Sequence, residues 1–234
     1  MKIIGLIGGM SWKSSLEYYR IINERIKQKL GGLHSAKCVM YSVDFAEIEK
    51  LQHAGKWEEA TEMMVDAAQR VERAGAEMVV ICTNTMHRMA SDVEKSVQIP
   101  LFHIADATAK RIESKGLNKV GLLGTRFTME QEFYKGKLEN VPNLQVLIPS
   151  EKEREYVHEV IFKELCVGMV KEKSKKRFQQ IIENLVSQGA QGIILGCTEI
   201  PLLVKKEDSS VPLFDTTWIH ASQAVDFALN LTDF

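Results

Sequence analysis

The chain of 234 residues is 45% hydrophobic, enough for one large core or two compact lobes of about 100 residues each, and too apolar for disorder. A net charge of -1 leaves no basic excess for nucleic acid or an anionic membrane surface, so the expected partner is a small molecule. No apolar run reaches the roughly 18 residues of a membrane span, and Lys2, Gly5, Gly8 and Gly9 break any signal-peptide core, so the cysteines are expected as reduced thiols in the cytoplasm.

In chain order, the apolar run 3–8 ends in glycine and reads as a first strand, followed by an amphipathic helix around Glu17-Tyr18-Tyr19-Arg20. Cys38 opens a second strand over 39–43, Asp44 ends it, and a loop carries the chain on through 42–51. A helix over 57–74 is stopped by Gly75. The fully apolar Val79-Val80-Ile81 suits a strand buried on both faces, as in a parallel sheet covered by helices. It ends at Cys82, and Thr83-Asn84-Thr85 start another helix. Pro100-Leu101-Phe102 begins a last short strand.

The second half repeats this order. Lys119-Val120-Gly121-Leu122-Leu123-Gly124 matches the first strand, with both glycines at one common offset, and Glu132-Phe133-Tyr134-Lys135 matches the first helix. A helix over 155–167 contains Cys166, and the lysine-rich run 171–177 reads as a solvated loop and helix start. The next helix, 175–188, is stopped by Gly189. Ile193-Ile194-Leu195 then leads to Gly196-Cys197, Thr198-Glu199-Ile200-Pro201 opens a helix, and Pro212-Leu213-Phe214 echoes the earlier short strand. A final helix over 218–231 packs back on the first lobe. The expected fold is α/β, with two pseudo-symmetric lobes from an internal duplication, each a parallel sheet flanked by helices. Residues 1–112 with 216–234 form the first lobe and 113–215 the second.

Packing accounts for Cys38, at a strand start, and Cys166, inside a helix. Cys82 and Cys197 stand at equivalent points of the repeat, at carboxyl ends of strands, where open α/β sheets hold their ligands. Backbone N–H groups at the helix starts that follow would bind a carboxylate, lower the thiol pKa from about 8.5, and stabilise an enolate-like intermediate. Inverting a stereocentre needs a base on one face of a planar carbanion and an acid on the other, which a duplicated lobe supplies as matching groups. One thiolate and one thiol would exchange roles and titrate as a coupled pair.

The motifs Cys82-Thr83-Asn84-Thr85 and Gly196-Cys197-Thr198-Glu199 resemble those of the aspartate/glutamate racemase superfamily. The resemblance covers the whole chain and is closest to the broad-specificity amino-acid racemase branch. Gly8-Gly9-Met10-Ser11-Trp12 and Gly124-Thr125-Arg126-Phe127-Thr128 look like the family's active-site edges, which places Met10, Ser11 and Thr125 beside the substrate. The resemblance implies a cofactor-independent amino-acid racemase with its active site between the lobes, a homodimer, no pyridoxal phosphate and no metal. It implies that Thr83, Asn84, Thr85 and Thr198 hold the substrate carboxylate, that Cys197 deprotonates the L-enantiomer and that Cys82 deprotonates the D-enantiomer.

Two positions depart from the pattern. Glu199 stands where glutamate racemases carry a histidine, and 42–51 contains Asp44, Glu47 and Glu49 but not the arginine of aspartate-specific members. Gln52 and Lys163 are then the candidates for contact with the substrate side chain. Other readings use fewer residues. Gly5-x-x-Gly8-Gly9 with Asp44 suggests a nucleotide-binding module, although the spacing is not G-x-G-x-x-G. A Cys82 to Cys197 disulfide would make a redox sensor and needs Cα atoms within about 7 Å. The same thiol pair would also serve a maleate or hydantoin isomerase or a decarboxylase. The six histidines show no metal-ligand spacing and read as structural or surface residues, with only His87 close enough to Cys82 to touch the site.

Overall fold

The computed structural model describes residues 1–231. The chain divides into two compact units, Met1–Ile104 with the chain from His220 onward, and Ala105–Ile219. In the first unit, strands β1 (Ile4–Gly8), β2 (Cys38–Ser42), β3 (Met78–Ile81) and β4 (Leu101–Phe102) form a sheet in the order β2-β1-β3-β4. In the second, β5 (Lys119–Gly124), β6 (Gln145–Leu147), β7 (Ile193–Gly196) and β8 (Leu213–Asp215) form one in the order β6-β5-β7-β8. Every pairing in both sheets is parallel. The two orders are the same under renumbering, so the duplication extends to topology.

The alternation of side chains along a strand divides the core of the first unit. Ile4 and Leu6 of β1, with Met78 and Val80 of β3, meet Tyr18, Ile22 and Ile26 of the helix Trp12–Leu30 and Ala221, Ala224 and Val225 of the last helix. Ile7, Val79 and Ile81 face the other way, onto the helix Trp57–Arg73. That helix buries Ala60, Met64, Ala67, Ala68 and Val71, one stripe at helical spacing. In the second unit the helix Glu172–Ser187 buries Phe178, Ile181, Ile182 and Leu185. A Cβ at Gly121 of β5 would stand 2.7 Å from Ile193 and 3.0 Å from Leu185, so the absence of a side chain lets this helix approach the strand. After each long helix a glycine with positive φ, Gly75 or Gly189, ends the run as expected.

The division falls earlier at one joint and later at the other than 112 and 216. The helix Ile104–Glu113 is tied to the second unit, where Asp106 Oδ2 pairs with Lys137 Nζ at 2.7 Å. Thr216, at the start of the helix Thr216–Ala228, donates its hydroxyl to Leu195 O at 2.9 Å, which keeps that first turn with β7. The expected loop over 42–51 is mostly a helix, Phe45–His53, because Asp44 accepts from Ala46 N–H at 3.0 Å and caps it. The helix expected over 155–167 begins earlier, as Glu151–Val160, where Glu153 Oε2 accepts both the N–H and the hydroxyl of Ser150. It continues as a π-turn over Ile161–Leu165. Strand β6 had no forecast, since Gln145–Leu147 is too short to show a period. Among the described residues no helix is long and apolar enough to cross a membrane.

Candidate active site

In the first unit the chemistry gathers at the carboxyl ends of β1 and β3. Cys82 follows β3, is fully buried, and donates its S–H to Val80 O at 3.8 Å. Its own N–H is held by Ile7 O at 2.9 Å, and Thr83 N–H turns back to Ile81 O at 2.9 Å. Thr83, Asn84 and Thr85 are all buried, and a 3₁₀ turn, Thr85–Met89, precedes the short helix Ala90–Ser96. The helix expected here therefore begins as 3₁₀, and one of its supposed carboxylate donors, the Thr83 N–H, is bonded within the turn.

The β1 end carries Gly9, Met10 and Ser11, and the latter two are buried. Gly9 has φ +97°, and a Cβ on it would lie 2.1 Å from Val43 O, so only glycine fits. Its N–H donates to Ser15 Oγ at 2.7 Å, while the Ser15 hydroxyl reaches Ser11 O at 3.2 Å. Gln52, 4% exposed on the helix Phe45–His53, donates from Nε2 to Met86 Sδ at 3.0 Å. Its buried Oε1 has no hydrogen-bond partner among the described residues. Gln52 is thereby brought against the 3₁₀ turn that follows Cys82.

In the second unit Cys197 follows β7 and is buried. Its Sγ lies 3.0 Å from Glu199 Oε2, and the Thr198 hydroxyl donates to the same oxygen at 2.6 Å. Glu199 is itself 3% exposed. The sequence placed Glu199 at the site but showed nothing of this contact, which depends on the side chain folding back over one residue. The helix after it is one turn long, Ile200–Leu203, with Pro201 in its first turn. Thr125, buried at the end of β5, caps the helix Arg126–Glu130 by accepting from Thr128 N–H at 3.3 Å. Lys163 is the exception among the candidates. Its side chain is 71% exposed and paired with Glu159 at 2.6 Å on the adjacent helical turn.

The thiols are not lowered toward neutrality. Burial pushes the Cys82 thiol far above its ordinary value, with a further push from Cys38. Burial likewise raises Cys197, and the negative Glu199 adds to the effect. The reason is enclosure: helical segments this short offer few aligned donors against full desolvation of a thiolate. All four cysteines, Cys38, Cys82, Cys166 and Cys197, are free, so the redox-sensor reading has no disulfide here. Asp44, the acid needed by the nucleotide reading, is occupied as a helix cap. Among the described residues no three His, Cys, Asp or Glu side chains come together as a metal site.

Two parallel four-stranded sheets of one topology, each with a buried free cysteine directly after its third strand, make a duplicated α/β architecture, and the comparisons with known proteins place it in the racemase class. Residues 7–224 match the family described as Asp/Glu/Hydantoin racemase, and the chain belongs to that family. A solved structure of a Yersinia pestis protein assigned to the Asp/Glu racemases is 55% identical, with a TM-score of 0.91 over 98% of this chain and all of that one. An aspartate racemase homologue from Pyrococcus horikoshii is 37% identical, with a TM-score of 0.84 over 98% of this chain and 100% of the other. The broad specificity amino-acid racemase RacX of Bacillus subtilis is 22% identical over 95% of this chain and 96% of its own length.

Proposed function

We propose that the protein racemises amino acids without a cofactor, with Cys82 and Cys197 serving opposite faces of one α-carbon. The observation that carries this reading is the equivalent placement of two buried, free thiols after β3 and β7 of identically ordered sheets. One thiolate removes the α-proton, leaving a planar carbanion, and the other thiol delivers a proton to the far face. The roles exchange for the opposite enantiomer, with Cys197 acting as base on the L-form and Cys82 on the D-form. Both thiols are held protonated at rest, which keeps two thiolates from being generated together. Glu199 Oε2, 3.0 Å from the Cys197 sulfur, is in position to receive that thiol's proton when substrate arrives.

Met10, Ser11, Thr83, Asn84, Thr85, Thr125 and Thr198 form the substrate's polar surroundings in this reading. Gln52 contacts its side chain. A buried amide oxygen left unpaired costs roughly 1–3 kcal/mol, and a substrate N–H or O–H group would relieve it. Lys163 enters only if it leaves Glu159. A cytoplasmic place of work and a homodimer belong to the same reading and are checked by fractionation and light scattering. The decisive experiment incubates L-amino acids in deuterium oxide with wild type, Cys82→Ala and Cys197→Ala. Either substitution is expected to abolish chirality loss while the protein stays folded, and Cys38→Ala and Cys166→Ala are expected to keep it. Full turnover in either of the first two variants would sink the two-thiol mechanism.

A further inference from the structure

Next to the turn that follows Cys82 lies a cluster of imidazoles wholly within the first unit, packed edge to face. His87 is 1% exposed and His220 is fully buried, and their ring centroids are 5.4 Å apart. His103 packs edge-on against His87 with centroids 4.7 Å apart. His220 Nε2 lies 2.8 Å from Phe102 O and its Nδ1 lies 2.8 Å from the hydroxyl of the fully buried Tyr18. A carbonyl only accepts, so Nε2 of His220 carries the hydrogen, and its Nδ1 accepts from Tyr18. His87 Nδ1 lies 2.7 Å from Thr83 O, while its Nε2 is 3.4 Å from the Phe102 carbonyl that His220 already occupies at shorter range. The shorter of these two contacts assigns the hydrogen to Nδ1 of His87.

Thr83 is the residue directly after Cys82, and its carbonyl lies on the turn that sets the direction of the thiol. A buried bond at this distance is a strong local constraint, because the alternative is an unpaired carbonyl in an apolar surround. The second unit has no counterpart. Leu202 stands after Cys197 where His87 stands after Cys82, and the neighbour of the second thiol is a carboxylate. The two proton-transfer groups are thus mounted differently despite the shared topology.

We infer that His87 is a positioning residue for the Cys82 half-reaction, its Nδ1–H holding the Thr83 carbonyl so that the turn presents the Cys82 thiol in reactive register. The inference rests on the two-thiol reading for its kinetic consequence but not for its geometry. His220, held by Tyr18 and the Phe102 carbonyl, packs against His87, and burial with the adjacent His87 lowers the His220 pKa to about 3, which keeps that ring neutral.

The test uses two variants and the wild-type protein. His87→Asn keeps an amide N–H where Nδ1 stands, whereas His87→Gln moves the donor toward Nε2 and loses Thr83. The Gln variant is expected to lose about ten- to a hundredfold in kcat/KM, the size of effect produced by small misplacements of a reacting group, and the Asn variant to recover most of it. The equilibrium constant of a racemisation is unity, so kcat/KM must fall equally in both directions. The isotope effects divide them. With α-deuterated D-substrate, deprotonation by Cys82 becomes more limiting and the primary effect rises. With α-deuterated L-substrate, reprotonation by Cys82 becomes limiting and the effect falls. A role confined to holding the fold would leave both unchanged. In wild type, nitrogen-15 NMR should show His87 as the Nδ1–H tautomer and His220 as Nε2–H, a measurement that does not depend on any variant folding. Finding His87 as Nε2–H, wild-type rates in His87→Gln, or isotope effects that move together would overturn the inference. Were Cys82→Ala fully active, the two-thiol reading would fall on its own, while the tautomers would still report the geometry.

Discussion

Thiols enclosed as Cys82 and Cys197 are make poor bases at rest, and the two have different neighbours. Beside Cys197 stands the Glu199 carboxylate at 3.0 Å, which accepts the S–H and opposes a second negative charge. The thiol is raised first by burial and then by this carboxylate. In Glu199→Gln the opposing charge is gone while burial is kept. The Cys197 pKa should therefore fall and the thiolate fraction at a given pH should rise. Alkylation of Cys197 followed by peptide mass spectrometry across pH measures this. The expected result is a profile displaced to lower pH. An unmoved profile would mean that burial alone sets the thiol. The cysteines and Glu199 were legible in the sequence because they occupy strand ends in a visible repeat. The hydrogen bond between them was not, since it depends on a side-chain rotamer. His87 stands out in the sequence as the one histidine near Cys82, but its contact with His220 does not, because nothing in their sequence separation indicates that β4 and the last helix bring the rings together.

At the scale of elements, the helix Phe45–His53 carries the residue that, in the proposed reading, meets the substrate side chain. Asp44 caps it, Glu47 and Glu49 lie on its first turns, and Gln52 reaches inward to Met86. The sequence showed these residues but placed them on a loop, because nine residues with little apolar periodicity give a weak helix signal and the Asp44 cap is a local geometric event. The helix turns Asp44 and Glu47 to the solvent and leaves Gln52 as its buried polar side chain. An acidic substrate side chain would bring a second carboxylate to a group that supplies no positive charge, and a buried charge without a partner costs several kcal/mol. The Gln52 amide suits neutral side chains that carry a hydrogen-bond donor. Amino acids with neutral polar side chains are therefore expected to be racemised with kcat/KM comparable with or above that for aspartate and glutamate. A panel of acidic, neutral and basic L-amino acids measures it. A preference for aspartate by orders of magnitude would show that a cation, such as Lys163 released from Glu159, reaches the substrate.

For the whole molecule, the duplication was the most legible feature, because matching glycines, apolar strands and helix stops at one offset are independent signals of one topology. Its two halves differ in how they hold titratable groups, and this separates their response to acid. In the first unit His220 is fully buried and neutral, its pKa lowered from 6.5 to about 3 by desolvation and by His87. The unfolded chain then binds a proton that the folded one refuses. The stability contributed by the neutral ring is full above pH 6.5 and is lost as pH falls from there toward 3. In the second unit burial raises Glu153, but bonds from Ser150 and Asn184 outweigh it and hold the group below 4.5. Glu164 is lowered too, and Asp208 sits below 3.8, each because hydrogen bonds and lysine charge exceed the desolvation. Their contribution is complete above the ordinary carboxylate range and is lost only as pH falls through it. Hydrogen exchange followed by mass spectrometry between pH 7 and 4, corrected for the intrinsic rate, should therefore show protection failing first in β1, β3 and β4. Protection in β5 and β7 should persist to lower pH. In His220→Gln, whose amide can still reach the Phe102 carbonyl, the first unit should lose part of its pH dependence between 6.5 and 4.5 even if its stability at pH 7 is lower. Simultaneous loss of protection in both sheets, or an unchanged slope in the variant, would remove His220 as the source of acid sensitivity.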